Sequence, residues 1–232
     1  MSKFSKPLKF ITGLILLPTA FFILLALSGV AWALVKNIRL SLYFLIGAAA
    51  YLILHRYVYN FSRLYVVSHE FTHALAALLT GHKVNSVTIK EESGNVKLSG
   101  VNAFILLAPY CFPLLAAGLV LAYYVLNFFV QNLDARIFLG LFGFFVALHA
   151  AHTYKSLTET EQSDVKMAGG GVFSFPLIIL ANAVVTALLL ELMLPRVVPF
   201  AAVAAEVLKN TFIFWREFFK QAYKLFSWAV TR

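Results

Sequence analysis

Charge is scarce in this chain. Aspartate, glutamate, lysine and arginine make up 12% of its 232 residues, against 61% from the apolar set, and mean hydropathy is +0.84. Soluble domains carry about 25% charged residues, so an ordinary water-soluble globule is excluded: there is too little polar surface to cover one. Disorder is excluded by the same figures, because it needs low hydrophobicity and high net charge. Cysteine is nearly absent. Cys111 stands alone, which rules out an internal disulfide framework and a four-cysteine zinc site. Internal repeats are missing as well, and with them the inverted-repeat signature of many transporters. A net charge of +9 is present, but its lysines and arginines are dispersed between long apolar runs, as they are at the flanks of membrane spans. No nucleic-acid partner is expected. The fold class is an all-α polytopic membrane protein.

The apolar runs place the spans. Phe10 to Val35 is 26 residues without a charge, and a hydrocarbon core needs about 20. Leu40 to Leu54 is shorter, with Arg56 and Tyr59 placed to snorkel. A third helix runs from about Leu64 to Thr80 and stops at Gly81. Leu98 to Leu133 is interrupted by Pro109 and Pro113, which kink a span or mark a re-entrant piece. Ile137 to Tyr154 and Val172 to Leu194 complete a set of about six transmembrane helices. Between them, β-branched residues on either side of Glu91-Glu92-Ser93-Gly94-Asn95 predict a short β-hairpin over 84–99. After Pro199, apolar residues at Leu208, Phe212, Trp215, Phe219, Tyr223 and Phe226 share one helical face, with Lys209, Arg216, Lys220 and Lys224 on the other. That is a C-terminal amphipathic helix suited to the surface of a lipid bilayer.

Residues 1–63 therefore read as two N-terminal spans, 64–194 as a four-span core with the hairpin, and 195–232 as an interfacial tail. Lys3, Lys6 and Lys9 precede an apolar run too long for a signal peptide, so an uncleaved anchor is expected. In a six-span arrangement 12 Lys/Arg fall on the side of the amino terminus and 7 on the other. This favours both termini in the cytoplasm, in a bacterial inner membrane.

Chemistry concentrates in the third span, at Val67-Ser68-His69-Glu70-Phe71-Thr72-His73-Ala74-Leu75. Histidines at i and i+4 share a helical face, and neutral imidazoles so placed bind one zinc ion while the adjacent glutamate serves as general base. Ionisable groups in the bilayer are costly and usually functional. The alternative reading is a pair of histidines hydrogen-bonded across helices. Such a centre needs a third protein ligand. The acids after the motif are Glu91, Glu92, Asp134, Glu159, Glu161, Asp164 and Glu191. Asp164 stands out beside Gly169-Gly170-Gly171, a run that lets an irregular segment enter the interior. His149 and His152 compete for the same role, or act from behind the ligands. In the six-span arrangement Asp164 starts on the face opposite Arg63, so it reaches the histidines only if residues 156–171 dip inward or if the chain around Pro109–Pro113 crosses differently. Asn102 and Asn182 either bind substrate backbone or bond across helices.

The run His69-Glu70-Phe71-Thr72-His73-Ala74-Leu75, followed by Gly81-His82-Lys83-Val84 and a hairpin, resembles the site-2 protease family of intramembrane zinc metalloproteases over residues 64–182. The resemblance implies Zn2+ held by His69 and His73, with Glu70 as the catalytic residue. Its third ligand would be an aspartate, usually in a Leu-Asp-Gly setting. Here Asp164 lies between Ser163 and Val165, a departure from that pattern. The family's hairpin borders the substrate, and Gly94 to Ser99 would correspond. The expected function is hydrolysis of peptide bonds in membrane-spanning protein or peptide substrates. The alternative is a non-proteolytic metal- or proton-binding transporter or scaffold; transporters, however, usually carry acids on several successive spans, and spans one, two and four have none.

Overall fold

The computed structural model describes residues 6–91, 93–130, 133–159, 162–195 and 197–231. Lys3, Glu92, Glu161 and the side chain of Glu159 lie outside them. In chain order the elements are α1 (Lys6–Lys36), α2 (Ile38–Tyr57), α3 (Ser62–Leu79), β1 (Val84–Ile89), β2 (Gly94–Leu98), α4 (Ala103–Cys111), α5 (Leu114–Phe129), α6 (Ala135–Glu159), α7 (Ser163–Ala168), α8 (Gly171–Met193) and α9 (Phe200–Val230).

Helices α1, α2, α6 and α8 are long and apolar enough to cross a bilayer. The pair α4 and α5, bent by 70°, makes a fifth span when counted together. The polytopic all-α class stands, with a short hairpin. The motif helix α3 is not among the spans by length and composition, because Arg63, His69, Glu70 and His73 interrupt its apolar surface.

Small residues let the spans meet at backbone distance. A Cβ on Gly47 would overlap the carbonyl of Gly140, and one on Gly143 that of Phe44, so α2 and α6 touch main chain to main chain. Without a hydrophobic force between helices in lipid, such close van der Waals packing carries the association. Their direction is parallel: Arg136 lies over Tyr43, Phe144 against Tyr51, and His152 against His55. Helices α1 and α8 are parallel too, with Gly13 against Val172, Ile23 beside Ala183, and Val30 and Leu34 clustered with Leu190 and Met193.

These pairings divide the bundle into two ends. One holds the start of α1, the ends of α2 and α6, the hairpin, α7 and the start of α8; Lys9 Nζ donates to the carbonyl of Ala168 at 2.6 Å, closing the last turn of α7. The other holds the α1–α2 junction at Asn37, the end of α5, the start of α6 and the end of α8. Tyr124 Oη donates there to Leu192 O at 2.6 Å. The hairpin and residues 162–171 thus share the end that carries Arg56 and Arg63, which corrects the six-span arrangement. The reason is that α3 does not traverse the bundle. It packs antiparallel on α4, Ala76 and Ala77 meeting Ile105 and Ala108 while His69 meets Tyr110, and α4–α5 makes the crossing. Consequently α8 ends opposite the start of α1, and α9 turns back along it through Val207 against Ile23 and Phe214 against Phe22. Beyond Phe214, large apolar side chains such as Phe219, Tyr223 and Phe226 are exposed.

Candidate metal centre

Each wall of the site has a local cause. Helix α3 ends where Gly81 adopts φ 75°, with Gly81 N–H donating to Leu78 O at 3.1 Å and His82 N–H to Ala77 O at 2.8 Å. This pairing satisfies the last carbonyls of the helix and turns the chain sharply. The turn delivers β1, which pairs antiparallel with β2 from Val84↔Leu98 to Ile89↔Gly94. Val84 and Leu98 pack on Ala76, Ala77, Ile105 and Ala108, fastening the hairpin over α3 and α4. Asn102 caps α4, its side chain accepting from Ile105 N–H at 2.9 Å.

The expected ligands converge. Among the described residues, His69, His73 and Asp164 form the group of three whose ligand atoms all lie within 4.8 Å of one another. The two imidazoles meet edge to face, with centroids 4.9 Å apart. His73 Nδ1–H donates to Ile105 O at 2.9 Å, which fixes the tautomer and leaves Nε2 facing Asp164 Oδ2 at 3.4 Å. His69 Nδ1 lies 3.3 Å from Tyr65 Oη. Asp164 arrives on α7, held by Val165 and Ala168 against Leu106, Leu107, Tyr110 and Ile178; it reaches the histidines because the broken pair α4–α5 makes the crossing and puts α7 on their side of the bundle. Burial acts to raise the Asp164 carboxyl pKa, but the His73 hydrogen bond and the nearby histidines outweigh it and hold the carboxyl below its ordinary range. Two imidazoles and a carboxylate are the donors that zinc takes in three-ligand sites with one position open, so the residues present fit the ion.

Glu70 is buried at 7% exposure, directly beneath β2. A Cβ on Gly94 would overlap Glu70 Cγ and lie 2.5 Å from its Oε1. Only a glycine lets the strand backbone approach the carboxylate so closely. A cleft of about 650 Å³ opens along this line, bordered by Tyr65, His69, Glu70, His73, Gly94 and Asp164 among others.

The competing histidines lie elsewhere. His149 Nε2–H donates to Asn182 Oδ1 at 2.8 Å, and His152 stacks on Tyr65 with centroids 4.8 Å apart. Asn182 also donates to the carbonyls of Tyr110 and Ile178, so it bonds across helices. Tyr65, Tyr110 and Gln162 were not legible as site residues. The signal that points to Tyr110 is its place three residues before Pro113, where a helix must leave carbonyls unpaired.

A family model described as Peptidase M50B-like matches residues 42–159, from α2 to the end of α6, covering His69, Glu70 and His73 but not Asp164. No curated protein and no solved structure matches the chain.

Proposed function

The chain belongs to the Peptidase M50B-like family, a site-2 protease family, and from that membership we propose that it is an intramembrane zinc endopeptidase that hydrolyses peptide bonds of membrane-spanning substrates. The observation that carries the reading is the convergence of His69, His73 and Asp164 within 4.8 Å, with Glu70 beside them on α3. A zinc ion held by these three residues would supply Lewis-acid polarisation of the scissile carbonyl and a lowered pKa for water. The residues of the chain do the rest. The Glu70 carboxylate takes a proton from the attacking water and returns it to the leaving amine. Burial under Gly94 keeps that carboxylate close to its target and shields it from bulk solvent. Each strand of the two-stranded sheet has an unpaired edge, and a substrate segment unwound from its helix pairs with such an edge by strand addition.

The proposed membrane orientation is supported by the charges at the two ends of the bundle. Lys6, Lys9, Arg56, Arg63, Lys83, Lys90, Lys97, Lys155 and Lys166 lie at the hairpin end, and Lys36, Arg39 and Arg136 at the other. This asymmetry supports the proposal that the hairpin end, and the cleft with it, faces the cytoplasm. In the proposed arrangement the tail beyond Phe214 lies against the lipid surface.

The test is bound zinc and cleavage of a transmembrane peptide by purified full-length protein in vesicles. Glu70→Gln keeps its zinc and loses turnover by about 100- to 10,000-fold. Retained turnover removes Glu70 from the mechanism, and wild-type protein without zinc removes the metal assignment. Zinc without any cleavage by wild type returns the chain to a non-proteolytic role.

A further inference from the structure

Tyr110 occupies the last turn of α4, and two separate sets of contacts hold it. The first is on its main chain. In an unbroken helix the Tyr110 carbonyl would accept from Leu114 N–H, but past Pro113 that N–H donates to Phe112 O at 2.9 Å. A carbonyl left open in an apolar bundle costs several kcal/mol, roughly, unless another group fills the place. Asn182 of α8 fills it, donating from Nδ2. Asn182 is held in turn by His149 Nε2–H, 2.8 Å from its Oδ1, and by its own bond to Ile178 O at 3.0 Å. The broken span is therefore pinned at Tyr110 by α6 and α8 together.

The second set is on the side chain, which is fully buried. Its ring meets His69 edge to face at 5.0 Å. Its hydroxyl lies 3.3 Å from Asp164 Oδ2 and 3.0 Å from Gln162 Oε1, one proton serving two acceptors. Gln162 is oriented by Nε2 donating to Ser156 O at 3.0 Å. Tyr110 thus touches two of the three candidate ligands. Asp164 is the one ligand not on α3, and its own helix is six residues long. Among the described residues two polar groups face its carboxylate, His73 Nε2 and the Tyr110 hydroxyl, and with the His73 proton on Nδ1 the hydroxyl is the donor. His73 Nε2 offers a lone pair to a metal ion, and Tyr110 gives Asp164 its hydrogen bond. A ligating carboxylate needs such a partner to hold its orientation.

We propose that Tyr110 is the positioning residue for Asp164, with Asn182 and His149 fixing Tyr110 at the break in the span; the proposal rests on the zinc reading above. Tyr110→Phe keeps the ring and removes the hydroxyl. In full-length protein, competition against a chromophoric chelator should show zinc affinity reduced by about 10- to 100-fold. Turnover should recover toward wild type as free zinc is raised, while the substrate KM and the unfolding midpoint of the metal-free protein stay unchanged. Zinc affinity within twofold of wild type overturns the proposal, as does a fall in the metal-free unfolding midpoint with affinity intact. Failure of the underlying reading is distinguishable, because then wild type and His73→Ala bind zinc alike. Should Tyr110→Phe not fold, Gln162→Leu carries the test. It leaves the hydroxyl proton to Asp164 alone and should tighten zinc, and unchanged or weaker binding overturns the proposal.

Discussion

Two histidine pairs in this molecule have nearly the same mutual geometry. His69 and His73 lie 4.9 Å apart at 78°, and His55 and His152 lie 5.2 Å apart at the same angle. Their surroundings differ. The first pair comes from one helix at i and i+4, has Asp164 within ligand distance, and has an Nδ1 committed on each ring, to Ile105 O and to Tyr65 Oη. The second pair joins α2 to α6 and sits among Tyr51, Phe61 and Tyr65, with no carboxylate grouped with it among the described residues. Neither His55 Nδ1 nor His152 Nε2 has a hydrogen-bond partner among the described residues. Ring geometry alone therefore does not make a metal centre. A divalent ion between neutral imidazoles in a buried setting lacks the compensating charge that makes burial tolerable, and Asp164 supplies that charge only to the first pair.

The comparison is broken most severely by Asp164→Asn, which makes the first pair resemble the second. Zinc affinity is expected to fall by more than about 100-fold, beyond the loss seen for outer partners of a ligand, with cleavage lost at ambient zinc; equilibrium dialysis of the full-length protein checks this. Gly94→Ala has a smaller effect on a different property. The new methyl meets Glu70, so cleavage should fall about tenfold, the equivalent of about 1.4 kcal/mol and within the range for overpacking. Zinc content should remain at one equivalent, and a steady-state assay alongside metal analysis separates the two readouts. The mildest change is His55→Phe. Replacing an imidazole whose buried nitrogen has no partner should stabilise the protein by about 1 kcal/mol, raising Tm by about 2–4 °C with zinc affinity unchanged. A drop in zinc content on this substitution would show that the second pair holds metal after all.

Much of the candidate site was legible in the residues themselves. The spacing of His69 and His73 and the adjacency of Glu70 are properties of one helix, so no tertiary information is needed to place them on a common face. Asp164 was legible by scarcity, as one of two aspartates and neighbour to a glycine run. His149 and His152 looked equally suitable because a histidine near a helix end has the same sequence signature whether it binds metal, an amide or an aromatic ring. Tyr65 gave no signal, and Tyr110 only its place before Pro113, since tyrosines within apolar runs are ordinary. The sidedness of the loops was misjudged for a physical reason: an 18-residue helix with a polar face satisfies its own backbone whether it crosses the bilayer or folds back, and length cannot separate the two.

Composition, the spacing of charge-free runs and the motif helix by themselves determined that this is an all-α membrane protein with a three-residue chemical kernel on one turn, because those features rest on local periodicity and on the cost of placing polar groups in lipid. Only the tertiary structure decided that the hairpin, α7 and the kernel share one end of the bundle. It alone brought Asp164, rather than His149 or His152, into one group with His69 and His73, and brought Gly94 onto Glu70. Those outcomes depend on which helices run parallel and on backbone contacts at Gly13, Gly47, Gly140 and Gly143. Such contacts join residues far apart in the chain, as Gly13 and Val172 are, and their partners are chosen by packing rather than by any local pattern.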